Sequence, residues 1–226
     1  MIWHPNLVFW LRGESSLTDS KAGLVGTTRG TGAVAYDTGI FGAGIKFNGT
    51  NWFNYASSKT TLDFTQKTGI GTISFFRKSA VQTASYGGYT FSTTKDGGTY
   101  GFWICQYPGA YLMMFILQGA GTRLIYNEVT IDNNVWTHCA WSFNKAADVC
   151  VGYKNGIAYN SGSMSAWSTT ANTSQYELTS GNNPDQNNYE RVVNNSMIDD
   201  IRVYNIALPA SDIIRLSRGF DPLTRS

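Results

Sequence analysis

Two Asn-Gly pairs, Asn48-Gly49 and Asn155-Gly156, constrain this chain more than any other feature. A type I′ turn needs positive φ at both central residues, and Asn-Gly adopts that conformation with little strain. The first pair stands in "AGIKFNGTNWFNY" and the second in "VGYKNGIAY". Both are flanked by short runs rich in β-branched and aromatic residues, so each predicts a hairpin tip. More strand candidates recur with turn signals between them: "LVFWLRG", "GTISFFRKS", "YLMMFIL", "VWTHCAWSF" and "DVCVGYK". That rhythm belongs to a sandwich or a barrel. "YLMMFIL" is apolar on both faces and suits a central strand covered on both sides. The last two runs read as neighbours joined by "NKAA".

The only helical signal comes late, in "MIDDIRVYNIALPASDIIRLSRG". Pro209 sits near a helix start, Asp212 falls in the first turn, Arg215 and Arg218 come late, and Gly219 closes it. Ala210, Ile213 and Leu216 form a short apolar stripe, which predicts one helix of about three turns packed on the sandwich. No Pro-rich linker or composition break divides the 226 residues, so they read as one domain, 1–226. A chain of that length buries a substantial core. Trp136, Ile201 and Val203 are expected inside it.

Composition narrows the function classes. Only 14% of residues are charged and the net charge is +2, which gives no general attraction to nucleic acid or to anionic membrane. The longest apolar run has seven residues, too few for a spanning helix. The start, "MIWHPNLVFWLRG", has no basic region followed by a clean apolar run and a small-residue cleavage site, so no signal peptide is evident. The three cysteines, Cys105, Cys139 and Cys150, are odd in number and lack metal-ligand spacing; three buried free thiols are expected.

Five phrases in order carry a family likeness: "GIFGAGIKFNGTNWFNY", "GTISFFRK", "NNVWTHCAWSFN", "VGYKNGIAYNSG" and "MIDDIRVYNIALPASDIIRL". Together they resemble the laminin-G-like branch of the concanavalin A-like lectin/glucanase superfamily. Phe76 stands where that family usually has tryptophan, Ser196 where it has glycine, and Pro209 where it has a capping serine. The resemblance implies an all-β jelly roll of two antiparallel sheets, one of them concave, with a single short C-terminal helix. Lectins, carbohydrate-binding modules, adhesive domains and virion proteins share this architecture, so function must be argued from a site.

The adjacent carboxylates of Asp199 and Asp200 are the first candidates. Successive strand residues point to opposite faces, which puts Asp199 with Ile201 and Val203, and Asp200 with Arg202 and Tyr204. They then cannot work as an acid/base pair. Asp199 needs donors or a cation, because an unpaired buried carboxylate is costly. A clamp to backbone N–H groups or to Arg12 is the first reading, and a Ca²⁺ ligand the second. One structural Ca²⁺ would draw on Asp19, Asp199 and Asp200 with loop carbonyls. Glycoside hydrolysis needs two carboxylates facing the scissile bond. The four glutamates form no alternating carboxylate run, and "EVTID" separates Glu128 from Asp132 by four residues. No enzyme activity is expected. His138 lies in a strand phrase without a nucleophile elbow and is read as structural.

Two functional classes remain. One is a carbohydrate-binding module whose long polar stretches (79–99, 160–174, 181–195) offer exposed aromatics beside short polar side chains. Its candidate residues are Tyr86, Tyr89, Trp167, Tyr189 and Asn187. The bland alternative folds these aromatics onto the core. The other class is a structural protein of a virion surface, a phage decoration or tail component, binding other virion subunits and itself as a homo-oligomer. Ile2 and Trp3 are then the candidate contact. An extracellular family on a chain with no evident signal peptide favours the second class, and the expected location is a virion surface or the extracellular space.

Overall fold

The computed structural model describes residues 4–80, 88–95, 98–107, 111–117, 123–182 and 195–220, without the side chains of residues 113, 115, 117 and 123–128. In chain order the strands are β1 (Leu7–Leu11), β2 (Gly26–Gly30), β3 (Ala35–Thr38), β4 (Ala43–Lys46), β5 (Asn51–Tyr55), β6 (Ile70–Lys78), β7 (Gly88–Ser92) and β8 (Gly101–Tyr107). There follow β9 (Tyr111–Leu117), β10 (Arg123–Thr130), β11 (Thr137–Asn144), β12 (Val149–Lys154), β13 (Ile157–Gly162), β14 (Thr179–Ser180) and β15 (Met197–Tyr204). Helix α1 (Phe64–Lys67) precedes β6, and α2 (Ala210–Leu216) follows β15.

The strands form two antiparallel sheets. One is eight-stranded, in the order β13-β12-β11-β6-β15-β4-β3, with β1 also paired to β15. The other is seven-stranded, in the order β10-β9-β8-β7-β14-β5-β2. Period-two alternation decides what lies between them. Ile73 and Phe75 of β6 and Cys139, Trp141 and Phe143 of β11 meet Phe53, Phe91, Phe102, Ile104, Leu112 and Met114 of the opposite sheet in one buried cluster. Phe9 spans the gap, with ring centroids 5.4 Å from Tyr55 and 5.8 Å from Phe91.

A third layer covers part of the eight-stranded sheet. Leu208, Ile213 and Leu216 lie on outward-facing Leu7, Trp10, Ala140, Tyr153 and Tyr204 in a separate apolar cluster. Pro209 holds the N-cap position of α2 with extended backbone. At the other end Gly219 adopts φ +80°, its N–H donates to Leu216 O, and Phe220 N–H donates to Arg215 O. This pair of bonds is a Schellman closure.

Three expectations need correction. Asn155-Gly156 is the tip between β12 and β13, with φ of +50° and +81°. Asn48-Gly49 is no hairpin tip, because β4 and β5 belong to different sheets. Only Gly49 of that pair has positive φ, and Asn48 Oδ1 instead accepts the N–H groups of Thr50 and Asn51 in a local turn that carries the chain across the sandwich. Trp136 is half-buried rather than core. It lies just before β11 and its ring lies over Gly44. Helix α2 spans two turns rather than three, and the one-turn α1 has no strong sequence signal.

Candidate functional site

The opening carboxylates sit at a bulge. Asp199 pairs with Phe76 and Arg202 with Ser74, so two residues of β15 oppose one of β6. Asp200 takes φ +50° there. The extra residue shifts the alternation: Ile198, Ile201 and Val203 all reach the inter-sheet core. Asp199 therefore does not share the face of Ile201 and Val203. It lies with Phe76 on the outer side, where Asp200 also lies.

Both act as clamps. Asp199 Oδ2 accepts the N–H groups of Ile40 at 2.8 Å and Phe41 at 3.0 Å, tying the β3–β4 turn to the closing strand. Arg12 pairs with Glu14 instead, at 3.9 Å. Burial pushes the Asp199 carboxyl up to about 6; the two N–H donors oppose that shift and the neighbouring charge of Asp200 adds to it. Asp200 Oδ1 accepts Trp10 Nε1–H at 2.7 Å and Arg202 Nε–H at 2.9 Å. Asp19 accepts the backbone N–H groups of Trp10, Lys21 and Ala22. Trp10 is thus held at its backbone by one aspartate and at its indole by another. No three His, Cys, Asp or Glu side chains converge as metal ligands among the described residues.

His138 is buried, at 1% exposure. Its Nε2 lies 2.8 Å from Ser74 Oγ, and burial, helped by the charge of Arg202, lowers its pKa to about 3.

The aromatics named from sequence divide. Trp167 is 1% exposed and belongs to the main core, its ring against Gly69. Tyr89, 3% exposed, packs with Trp103 and Cys105. Neither ring is exposed: Trp167 comes from a loop folded into the core, and Tyr89 is a residue of β7 packed on its own sheet. Tyr86, Asn187, Tyr189, Ile2 and Trp3 lie outside the described residues.

Two surface clefts are lined by described residues. One, of about 250 Å³, is lined by Trp10, Arg12, Glu14, Phe41, Asp200, Arg202 and Gly219. Its tryptophan is 8% exposed and has the guanidinium groups of Arg202 and Arg12 over its ring, at 4.6 and 5.3 Å. Those cations occupy the ring that a stacking ligand would need.

The other cleft, of about 290 Å³, is lined by Val151, Ala158, Tyr159, Asn160 and Ser161 on β12 and the edge strand β13. Gly152 pairs with Asn160 and Tyr153 with Ala158, so Tyr159 is the extra residue of a second bulge. Bulges on edge strands re-aim side chains. Here the ring is 49% exposed while its hydroxyl lies 3.1 Å from Thr130 Oγ1. Lys154 Nζ donates to Thr130 Oγ1 at 3.4 Å and to Asp132 at 3.2 Å. A half-open aromatic with an anchored tip stands beside two short polar side chains. The only sequence signal for it was a lone aromatic in the small, polar run "IAYNSG" just past the Asn-Gly turn.

A family model described as "Concanavalin A-like lectin/glucanases superfamily" (Laminin_G_3) matches residues 47–214. The chain belongs to this superfamily. Solved relatives of the lectin-like fold include domain 4 of AbnA, a GH43 extracellular arabinanase from Geobacillus stearothermophilus, in complex with arabinotriose. It is 21% identical over 94% of this chain and 98% of that one, with a TM-score of 0.70. The binding domain of Paraclostridial Mosquitocidal Protein 1 matches at 17% identity and TM-score 0.71, over 95% of this chain and 52% of that one. The binding domain of Botulinum Neurotoxin DC in complex with SialylT matches at 16% and 0.70, over 95% and 52%. The superfamily chain described here thus spans about half the length of the two toxin domains. At these identities the likeness is one of fold. No curated protein matches the chain in sequence. No helix among the described residues is long and apolar enough to cross a membrane.

Proposed function

We propose that this chain is a non-catalytic carbohydrate-binding module of an extracellular or cell-surface system, and that it holds saccharide in the Tyr159 cleft. The observation that carries this reading is the bulge that turns a half-exposed aromatic ring outward beside Asn160 and Ser161. A sugar presents apolar C–H faces ringed by hydroxyls, so it needs a flat apolar platform and short polar partners at the rim. The Thr130 contact restrains the ring before ligand arrives, which lowers the ordering cost of binding. A relative of nearly the same extent, the arabinanase domain, is solved with a bound arabino-oligosaccharide, and a toxin relative is solved with SialylT. Both support glycan binding over assembly into a virion. The cleft lining contains no carboxylate, whereas hydrolysis of a glycosidic bond asks for two.

Calorimetric titration with an oligosaccharide panel, together with pull-down on insoluble polysaccharides, tests the reading. Tyr159→Ala is expected to weaken binding by about tenfold and to leave the melting temperature unchanged, because the ring is half exposed. Absence of binding to any saccharide, or full affinity in the variant, overturns it.

A further inference from the structure

We infer that the Tyr159 cleft selects uncharged saccharides and discriminates against acidic ones. This inference rests on the glycan-binding reading and adds a substrate class to it. Among Val151, Ala158, Tyr159, Asn160 and Ser161, the only ionisable group is the tyrosine phenol. Its hydroxyl is already engaged with Thr130. The cation one step away, Lys154, is held by Asp132 at 3.2 Å, and its side chain is only 20% exposed. A carboxylate or sulfate entering the cleft would lose hydration and find, among the described residues, no unpaired cation to replace it. It would also approach the carboxylate of Asp132, which is 59% exposed. Hydroxyl groups meet no such penalty, because they carry no charge and the Ser161 hydroxyl can donate or accept. The other cleft makes the contrast plain: Arg12, Glu14, Asp200 and Arg202 all line it. Among the described residues, charge lines that cleft and the lining of the Tyr159 cleft carries none. Rejection by an uncompensated charge is an established route to specificity.

The test compares neutral gluco-, xylo-, arabino- and galacto-oligosaccharides with uronic-acid oligosaccharides of the same length, each titrated at 20 mM and 500 mM NaCl. Neutral ligands should bind with affinity that changes less than about twofold between the two salts, since no ion pair is available to be screened. The acidic set should bind at least about tenfold more weakly. Ser161→Lys, a change at an exposed position, should raise acidic affinity and make it salt-sensitive. Acidic binding that equals neutral binding and is lost in Tyr159→Ala overturns this inference and leaves the glycan-binding reading intact. Failure of both sets to bind overturns the reading, and this inference with it.

Discussion

Asp199 shows how one carboxylate can fasten a turn and still cost stability when ionised. Its Oδ2 holds the Ile40 and Phe41 N–H groups, while Oδ1 is buried with no hydrogen-bond partner among the described residues. Asp200 stands beside it, and Arg202 is taken up by Asp200 rather than by Asp199. Arg12 and Glu14 face each other at the rim of the neighbouring cleft. The folded carboxyl titrates near 6 against an ordinary value of 3.8. Between about pH 4 and pH 6 the folded state therefore binds more protons than the unfolded one, so stability from this group is full below about pH 4 and falls as pH rises through 6. Urea unfolding should give a higher midpoint at pH 4.5 than at pH 7.5 in the wild type. In Asp199→Asn that difference should shrink, and an unchanged difference would mean that other groups set it. The pair "DD" was visible in the sequence, as was its role in closing the sandwich. Its facing was not, because counting by twos assumes a regular strand and Asp200 interrupts it with φ +50°.

At the scale of elements, the stretch from Asn160 to Ser174 looks from its composition like a free loop. In the structure its first three residues end β13 and the rest folds down as a lid. Trp167 N–H donates to Met164 O, Lys145 Nζ donates to Met164 O and Ser165 O, and Thr170 N–H donates to Gln66 O. Trp167→Ala removes a fully buried indole from this seam and should cost about 3–5 kcal/mol, read as a lowered denaturant midpoint with an unchanged slope. A loss below about 1 kcal/mol would return Trp167 to the surface. The long strand motifs were legible, as were the pairing of β11 with β12 and the place of α2, since turn chemistry and capping are local. Asn155-Gly156 succeeded because its flanking strands pair with each other. Asn48-Gly49 failed because its flanking strands part into different sheets, which dipeptide preference does not encode. Tyr159 was missed for a related reason: a bulge is a relation between two strands, and one strand's sequence does not display it.

On the scale of the whole molecule, the three layers leave no thiol at the surface. Cys105, Cys139 and Cys150 are all buried, and none is in a disulfide. Burial pushes the Cys139 and Cys150 thiols up to about 12, despite the opposing charges of Arg77 and Lys154 near Cys139. A thiol reagent at pH 8 should label none of them within minutes in the native protein and all three in denaturant, so labelling would report opening of the sandwich. Rapid native labelling would contradict the burial. Strand β15 has a further consequence. It sits between β6 and β4, and the end of the edge it offers to β4 is taken by β1, with Leu7 opposite Tyr204. The middle of this sheet is therefore the last of its strands to be synthesised. At about 5–20 residues per second, β1 waits on the order of 10–40 seconds after leaving the ribosome for its partner to exist. During that interval β1, β4 and β6 carry unmatched backbone edges, the kind that pair with other chains. For this protein, the pace of translation and the crowding of nascent chains bear directly on yield.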